Sequence, residues 1–350
     1  MRELGVACLA APTPFTPRAI GSGAGRAAYH RDHDRPHAQG PIVPVRFGLQ
    51  LWSQSTDWPT FRDAAVAADE ASWDSIWTWD HLLAIFGPWE QPIFEGWTAM
   101  AALGPLTSRV RLGLMVGANT FRNPGLTAKL ATTLDHVSDG RAVLGIGGAW
   151  FDREHDAFGI DFGASPGERL GWLDEAVMLL RRLLDGERVD HDGPRYTMHD
   201  AVCEPRPIQA HLPILIGGSG KLKTLRIVAE RADAWNSSGT LEEMRDSLDT
   251  LLAHCAEVGR DPASIGKTTS FPLIIRDRAD VARDRMTELL ARNGVTTAGG
   301  PHLTGSPAEI ADAIRPYVEL GFGTIIVRMP APYDRETIER IDEVGRQLER

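Results

Sequence analysis

Residues 109–150 read RVRLGLMVGANTFRNPGLTAKLATTLDHVSDGRAVLGIGGAW. An apolar run around Gly113 reads as a strand. Leu126, Leu130, Leu134 and Val137 then recur at helical spacing until Asp139-Gly140 stops the helix, and a second apolar run follows around Leu144. Two strands joined by a helix run in the same direction, because only a crossover of this length returns the chain to the starting edge. This segment is therefore one β–α–β unit of a parallel sheet.

Working outward, six more strand-like runs appear. They are VRFGLQL, with Val45, Phe47, Leu49 and Leu51 on one face; SIWTW around Ile76; PILIG around Leu215; ADAWN around Ala234; TTSFPLII around Phe271; and TIIVR around Ile326. The segments between them read as helices. Phe61–Ser72 is alanine-rich. Ser165-Pro166-Gly167-Glu168 is a capping box ahead of a stripe of Leu170, Leu173, Val177, Leu180 and Leu184, and Ser306-Pro307-Ala308-Glu309 repeats that start before Ile310, Ile314 and Tyr317. Eight strands alternating with helices predict an α/β fold, a (β/α)8 TIM barrel with insertions. The insertions are Gly148–Ala164, a hairpin over Glu187–Met198, and a Gly-rich, mobile loop over Asn293–Gly305.

The barrel domain is expected over residues 44–350. Residues 1–43, rich in Pro, Gly, Arg and His and without sustained periodicity, read as a disordered extension, and a metal role for His30, His33 and His37 is disfavoured there. A chain of 350 residues that is 43% hydrophobic can bury a large core. The net charge of −10 argues against nucleic acid as a partner. No run approaches the roughly 18 apolar residues of a membrane span, so no membrane partner is expected. The three cysteines Cys8, Cys203 and Cys255 have no metal-ligand spacing and suggest a reducing, cytoplasmic setting.

In such a barrel the chemistry lies at the C-terminal ends of the strands. That fixes the residues to inspect: Asp80-His81, Val116–Arg122, Gly147–Asp152, Gly217–Lys223 and Trp235-Asn236. Asp80 and His81 open an aromatic loop (Phe86, Trp89, Phe94, Trp97). An aspartate beside an imidazole suits proton transfer, but a loop cap and a packed histidine explain the pair equally in kind. Gly217, Gly218, Ser219 and Gly220 follow a strand, with Lys221 and Lys223 expected in the first turn of the next helix. This is either a phosphate seat or a plain glycine-rich turn. Gly145–Trp150 ends its strand in small residues that either admit a flat ring or pack the barrel tightly, and Trp150 either stacks on a ligand or caps the core. No nucleophile–base pair or metal motif supports a hydrolase.

Taken together, residues 112–162, the stretch PRPIQAHLPILIGGSGKLKTLRIVAERADAWN and the ending LTGSPAEIADAIRPYVELGFGTIIV resemble the luciferase-like monooxygenase superfamily, over roughly Val45–Gly345. The resemblance implies a (β/α)8 barrel that binds the deazaflavin coenzyme F420, with FMN as the alternative, and a homodimer. By position it implies that Asp80 contacts the cofactor and His81 is the catalytic proton donor. It also implies a cis Met115–Val116 peptide behind the ring, with Gly117, Gly148 and Ala149 along the ring and Gly217–Gly220 at the phosphate. One departure stands out. The family's sugar-phosphate dehydrogenases carry a glutamate acid where this chain has Trp150, which argues against a glucose-6-phosphate-type substrate, and Glu154 is read as structural.

The leading expectation is an F420-dependent oxidoreductase acting on a small organic substrate. An FMNH2-dependent monooxygenase is the alternative, followed by a non-catalytic flavin-binding protein. The substrate is expected to meet the aromatic loop after His81 and the 293–305 segment.

Overall fold

The structure, a computed structural model, describes residues 45–295 and 301–350. The expectations for residues 1–43 and for the middle of the 293–305 loop lie outside the described residues.

Twelve strands are present among the described residues: β1 (Arg46–Leu51), β2 (Ser75–Thr78), β3 (Arg111–Leu114), β4 (Gly117–Ala118), β5 (Ala142–Gly147), β6 (Val189–Asp192), β7 (Thr197–Ala201), β8 (Ile214–Gly217), β9 (Ala234–Ser237), β10 (Gly266–Ile275), β11 (Leu303–Gly305) and β12 (Thr324–Met329). Eight of them pair in parallel in the order β1-β2-β3-β5-β8-β9-β10-β12, and β12 returns to β1. The sheet is a closed barrel, and its eight strands are the eight read from the sequence. The remaining short strands decorate it: β4 on β5, β11 on β10, and the β6–β7 hairpin, which falls where the 187–198 insertion was expected.

The helices are α1 (Trp58–Glu70), α2 (Gly96–Leu103), α3 (Pro124–Val137), α4 (Asp152–Phe158), α5 (Pro166–Leu184), α6 (Thr224–Arg231), α7 (Leu241–Val258), α8 (Ala279–Arg292), α9 (Pro307–Glu319) and α10 (Arg335–Leu348). The Ser306 box forms in full, the serine hydroxyl accepting from Glu309 N–H while Glu309 reaches back to Ser306 N–H. At α5 only half of the expected box forms. Ser165 caps Glu168 N–H, but the Glu168 carboxylate accepts from Ala164 N–H instead of Ser165.

The alternation expected in β1 gives way to burial of every residue from Phe47 to Leu51. The cause is the barrel itself, which encloses the second face. Inside it, Trp77 packs with Met115, Val143, Leu215 and Ile326. Its ring explains two glycines, since a Cβ on Gly48 or Gly113 would come within 2.8 Å of the Trp77 side chain.

The last two units are locked beside the rim by Asp334, the N-cap of α10. Its carboxylate accepts from Thr337 N–H at 2.9 Å, from both Nη atoms of Arg276 at 2.9 and 2.7 Å, and from Arg285 Nε at 3.0 Å. Burial would raise this carboxyl, but the donors of Arg276, Thr337 and Arg285 prevail and hold it well below the usual carboxylate range. A depressed acid stabilises the fold above its unfolded pKa and loses that contribution as pH falls towards its folded value. The substitution Asp334→Asn is expected to cost about 1.5–3 kcal/mol at pH 7 in urea unfolding, the range of a hydrogen bond to a charged group, because the half-buried guanidinium groups of Arg276 and Arg285 would keep only Glu336 and Glu288 as carboxylate partners. The gap from wild type should narrow as pH falls below about 4; a constant gap would contradict the assignment.

Candidate active site

The C-terminal strand ends surround a cavity of about 530 Å3. Its walls come from the segments after β1, β2, β3, β5, β8 and β9, with Pro166, Arg169 and Leu170 of α5 and with Ser270 and Arg328 from β10 and β12.

Asp80 and His81 both line it, but they do not act on one another. The Asp80 carboxylate is buried and accepts from Arg122 through Nη1 at 2.6 Å and Nη2 at 3.0 Å, and from Ala118 N–H at 2.9 Å. Arg122 also donates to Glu95 at 2.7 Å, and Glu95 caps α2. Burial pulls the guanidinium down, yet Asp80 and Glu95 together push it up, so it stays a cation. Asp80 is thus the clamp that joins the end of β2 to the β3–α3 connection.

The carboxylate partner of His81 is Glu154. Its Oε1 lies 2.8 Å from His81 Nδ1, and its Oε2 accepts from Leu82 N–H at 2.8 Å. Glu154 is 1% exposed. The expected pairing of Asp80 with His81 does not form, and Glu154, read from the sequence as structural, is the carboxylate that meets His81. The neighbouring His155 is the structural member. Its Nδ1 meets Phe151 O at 2.7 Å and its Nε2 meets Thr120 Oγ1 at 2.6 Å, so it pins α4 to the segment that follows β4. Glu154 comes from a seven-residue helix inside an insertion, too short to give a periodic signal.

The Met115–Val116 peptide is cis. Gln50 Nε2–H donates to Met115 O at 2.9 Å from across the barrel floor. Val116 explains the glycines around it, because a Cβ on Gly147 or Gly217 would lie 2.8 or 2.9 Å from its methyl groups. These small residues therefore first make room for Val116. Met115, Val116, Gly117, Gly148 and Ala149 all line the cavity, as do Gly217 and Gly218. Ser219 instead lines a smaller neighbouring pocket of about 230 Å3, and Gly220 lines neither.

The lysines are also displaced from their expected place. Helix α6 begins at Thr224, so Lys221 and Lys223 precede it; Lys221 pairs with Asp246, and Lys223 donates to Gly167 O at 2.8 Å. The glycine turn runs three residues further than its composition suggested. Thr224, buried and lining the cavity, is the residue that α6 presents there, and the sequence reading missed it. It also missed Gln50, Trp52, Trp79, Arg169 and Arg328. Of these, Arg328 carried a visible signal, a charge within an apolar barrel strand.

Residues 40–302 match the family model described as luciferase-like monooxygenase. This chain belongs to that family. An F420-dependent glucose-6-phosphate dehydrogenase of Intrasporangium calvum is 30% identical over 306 residues, spanning 77% of this chain and 88% of the relative. A phthiodiolone/phenolphthiodiolone dimycocerosates ketoreductase of a Mycobacterium species (strain JLS) is 30% identical over 300 residues, 74% of this chain and 77% of the relative. Among solved structures, the coenzyme F420-dependent tetrahydromethanopterin reductase of Methanopyrus kandleri superposes with a TM-score of 0.73 at 19% identity, covering 87% of this chain and 99% of that one. Trp150 stands 63% exposed at the mouth, edge-on to His81 at 5.5 Å between centroids.

Loss of the Arg122 clamp should be severe. The substitution Arg122→Met leaves Asp80 buried without its cation and is expected to cost about 3–5 kcal/mol in chemical unfolding. A cost under about 1 kcal/mol, the range of an exposed ion pair, would show that the clamp is not load-sharing in solution.

Proposed function

We propose that this chain is an F420-dependent oxidoreductase that moves a hydride between the deazaflavin C5 and a small organic substrate in the cavity at the barrel mouth. The observation that carries the reading is the His81–Glu154 pair, a carboxylate-tethered imidazole on the cavity wall beside the Met115–Val116 segment.

The residues present fit the coenzyme. Met115 and Val116 offer an apolar wall for a flat ring, and Gly147, Gly148 and Ala149 bring backbone to the same cavity. Gly217 and Gly218 with Thr224 place the start of α6 there, where a helix N-terminus favours phosphate. Asp80 takes part by holding Ala118 N–H and Arg122 in place. Ser219 and Gly220 belong to the continuation of the turn. When bound, F420 supplies or accepts the hydride.

The chain's own work is positioning and proton transfer. Glu154 accepts through both oxygens, from His81 on one side and a backbone N–H on the other. That holds one proton on Nδ1 and leaves the Nε2 lone pair to take a proton from a substrate hydroxyl as the hydride leaves; in the reverse direction the imidazolium returns that proton from Nε2 to the substrate oxygen. The aromatic side chains Trp52, Trp79 and Phe86 exclude water from that wall.

The similar glucose-6-phosphate dehydrogenase is named for F420, which favours the deazaflavin. The family description favours the second reading, an FMNH2-dependent monooxygenase using the same cavity. A homodimer and a cytoplasmic setting belong to the same proposal. Among the described residues no helix is long and apolar enough to cross a membrane, and light scattering on the purified chain tests the dimer.

Titration of the protein with oxidised F420 and with FMN, followed by ring fluorescence, separates the readings. F420 is expected to bind at least about tenfold more tightly, a difference of about 1.4 kcal/mol. Under F420 turnover, His81→Ala should lower kcat by about 10²–10⁴-fold with coenzyme affinity retained. Binding of FMN alone would overturn the assignment.

A further inference from the structure

Two cavity arginines, Arg169 and Arg328, have no carboxylate partner among the described residues; Arg169 still donates to Phe162 O at 3.2 Å, and Arg328 has no such acceptor. Arg328 lies in β12 in register with Gln50 of β1 and Pro272 of β10, so its side chain enters the barrel on the same side as Gln50 and lines the cavity. Among the described residues no carboxylate lies within ion-pair distance of it and no acceptor takes its N–H groups, and its Nε is fully buried. Burial alone acts on the guanidinium, pulling it down with no acid to oppose the effect.

The two carboxylates that line the cavity are already engaged, Asp80 by Arg122 and Glu154 by His81 and Leu82 N–H. The indole nitrogens of Trp52 and Trp79, on the same cavity wall, are also buried without acceptors. This side of the site is therefore rich in donors and short of acceptors. A half-buried cation without a partner, its Nε out of reach of water, destabilises the empty protein, and the cost is recovered where a ligand brings the counter-charge.

We propose that Arg328 is the anchor for a carboxylate on the substrate, so that the hydride donor or acceptor is a small organic acid whose apolar part lies against Trp52, Trp79 and Phe86. A guanidinium fork matches a carboxylate through two parallel N–H bonds, which also orients the molecule. The inference rests on the cavity being the active site, as proposed above, but not on which coenzyme it uses. Arg328 and the Gly217–Gly218 turn lie on strands separated by β9 and β10 in the barrel order.

Benzoate and its neutral isostere benzamide test the proposal by calorimetry on the full chain, with and without F420. Wild type should prefer benzoate by at least about tenfold, the range expected of a hydrogen bond to a charged group. Arg328→Met should abolish that preference, and Arg328→Lys should retain part of it. In both variants F420 should bind within about twofold of wild type, well inside the tenfold that 1.4 kcal/mol represents. The melting temperature of ligand-free Arg328→Met should equal or exceed that of wild type, whereas a structural arginine would lower it.

Equal binding of the two probes to wild type, or a preference that survives Arg328→Met, overturns the proposal. So does loss of F420 binding together with the preference, since Arg328 would then hold the coenzyme. A wild type that prefers benzoate but ignores F420 refutes the coenzyme reading and supports the anchor.

Discussion

Pairing of β12 with β1, aligned from Arg46 opposite Thr324 to Leu51 opposite Met329, closes the sheet on itself. Closure brings eight parallel strand ends to one rim, and almost every residue at the site lies at or just past such an end. It also creates the enclosed space that Trp77 and its neighbours fill, leaving the cavity above them. An open sheet of the same strands would set Arg328 and His81 far from Gly217. In the barrel all three line one cavity.

Charge is distributed around that rim with a clear division of labour. Asp80 and Arg122 neutralise each other below the surface and brace the β2 and β3 connections. Glu154 is spent on orienting His81. Arg328 and Arg169 both lack a carboxylate partner among the described residues; Arg169 has Phe162 under its guanidinium at 3.8 Å and a backbone carbonyl, and Arg328 has neither. The cavity is thus built with its acids committed and its cations open, an arrangement suited to oxygen-rich, anionic ligands.

The eight barrel strands were legible because each is a compact apolar run flanked by helix-start or turn residues, and the Ser306 capping box marks α9 to the residue. Local chemistry carried less of the site. His81 was visible from its place after a strand, but its true partner lies 73 residues away on α4, a pairing created by tertiary packing. Gly145 and Gly147 were read as room for a ring and Gly217 as part of a phosphate seat, whereas packing requires all three first: a Cβ on Gly145 would strike Leu114 O, and one on Gly147 or Gly217 would meet the Val116 methyl groups. Lys221 and Lys223 looked like phosphate ligands because composition does not reveal that α6 starts at Thr224.

In the proposed complex a tricyclic ring lies against Met115 and Val116 with His81 Nε2 turned towards the reacting face. A crystal structure of the protein soaked with F420 tests it directly. Electron density is expected for the ring on the Met115–Val116 wall and for the phosphate at Gly217–Gly218 near Thr224. A ring seated against Trp52 and Trp79, or held outside the cavity, would contradict it.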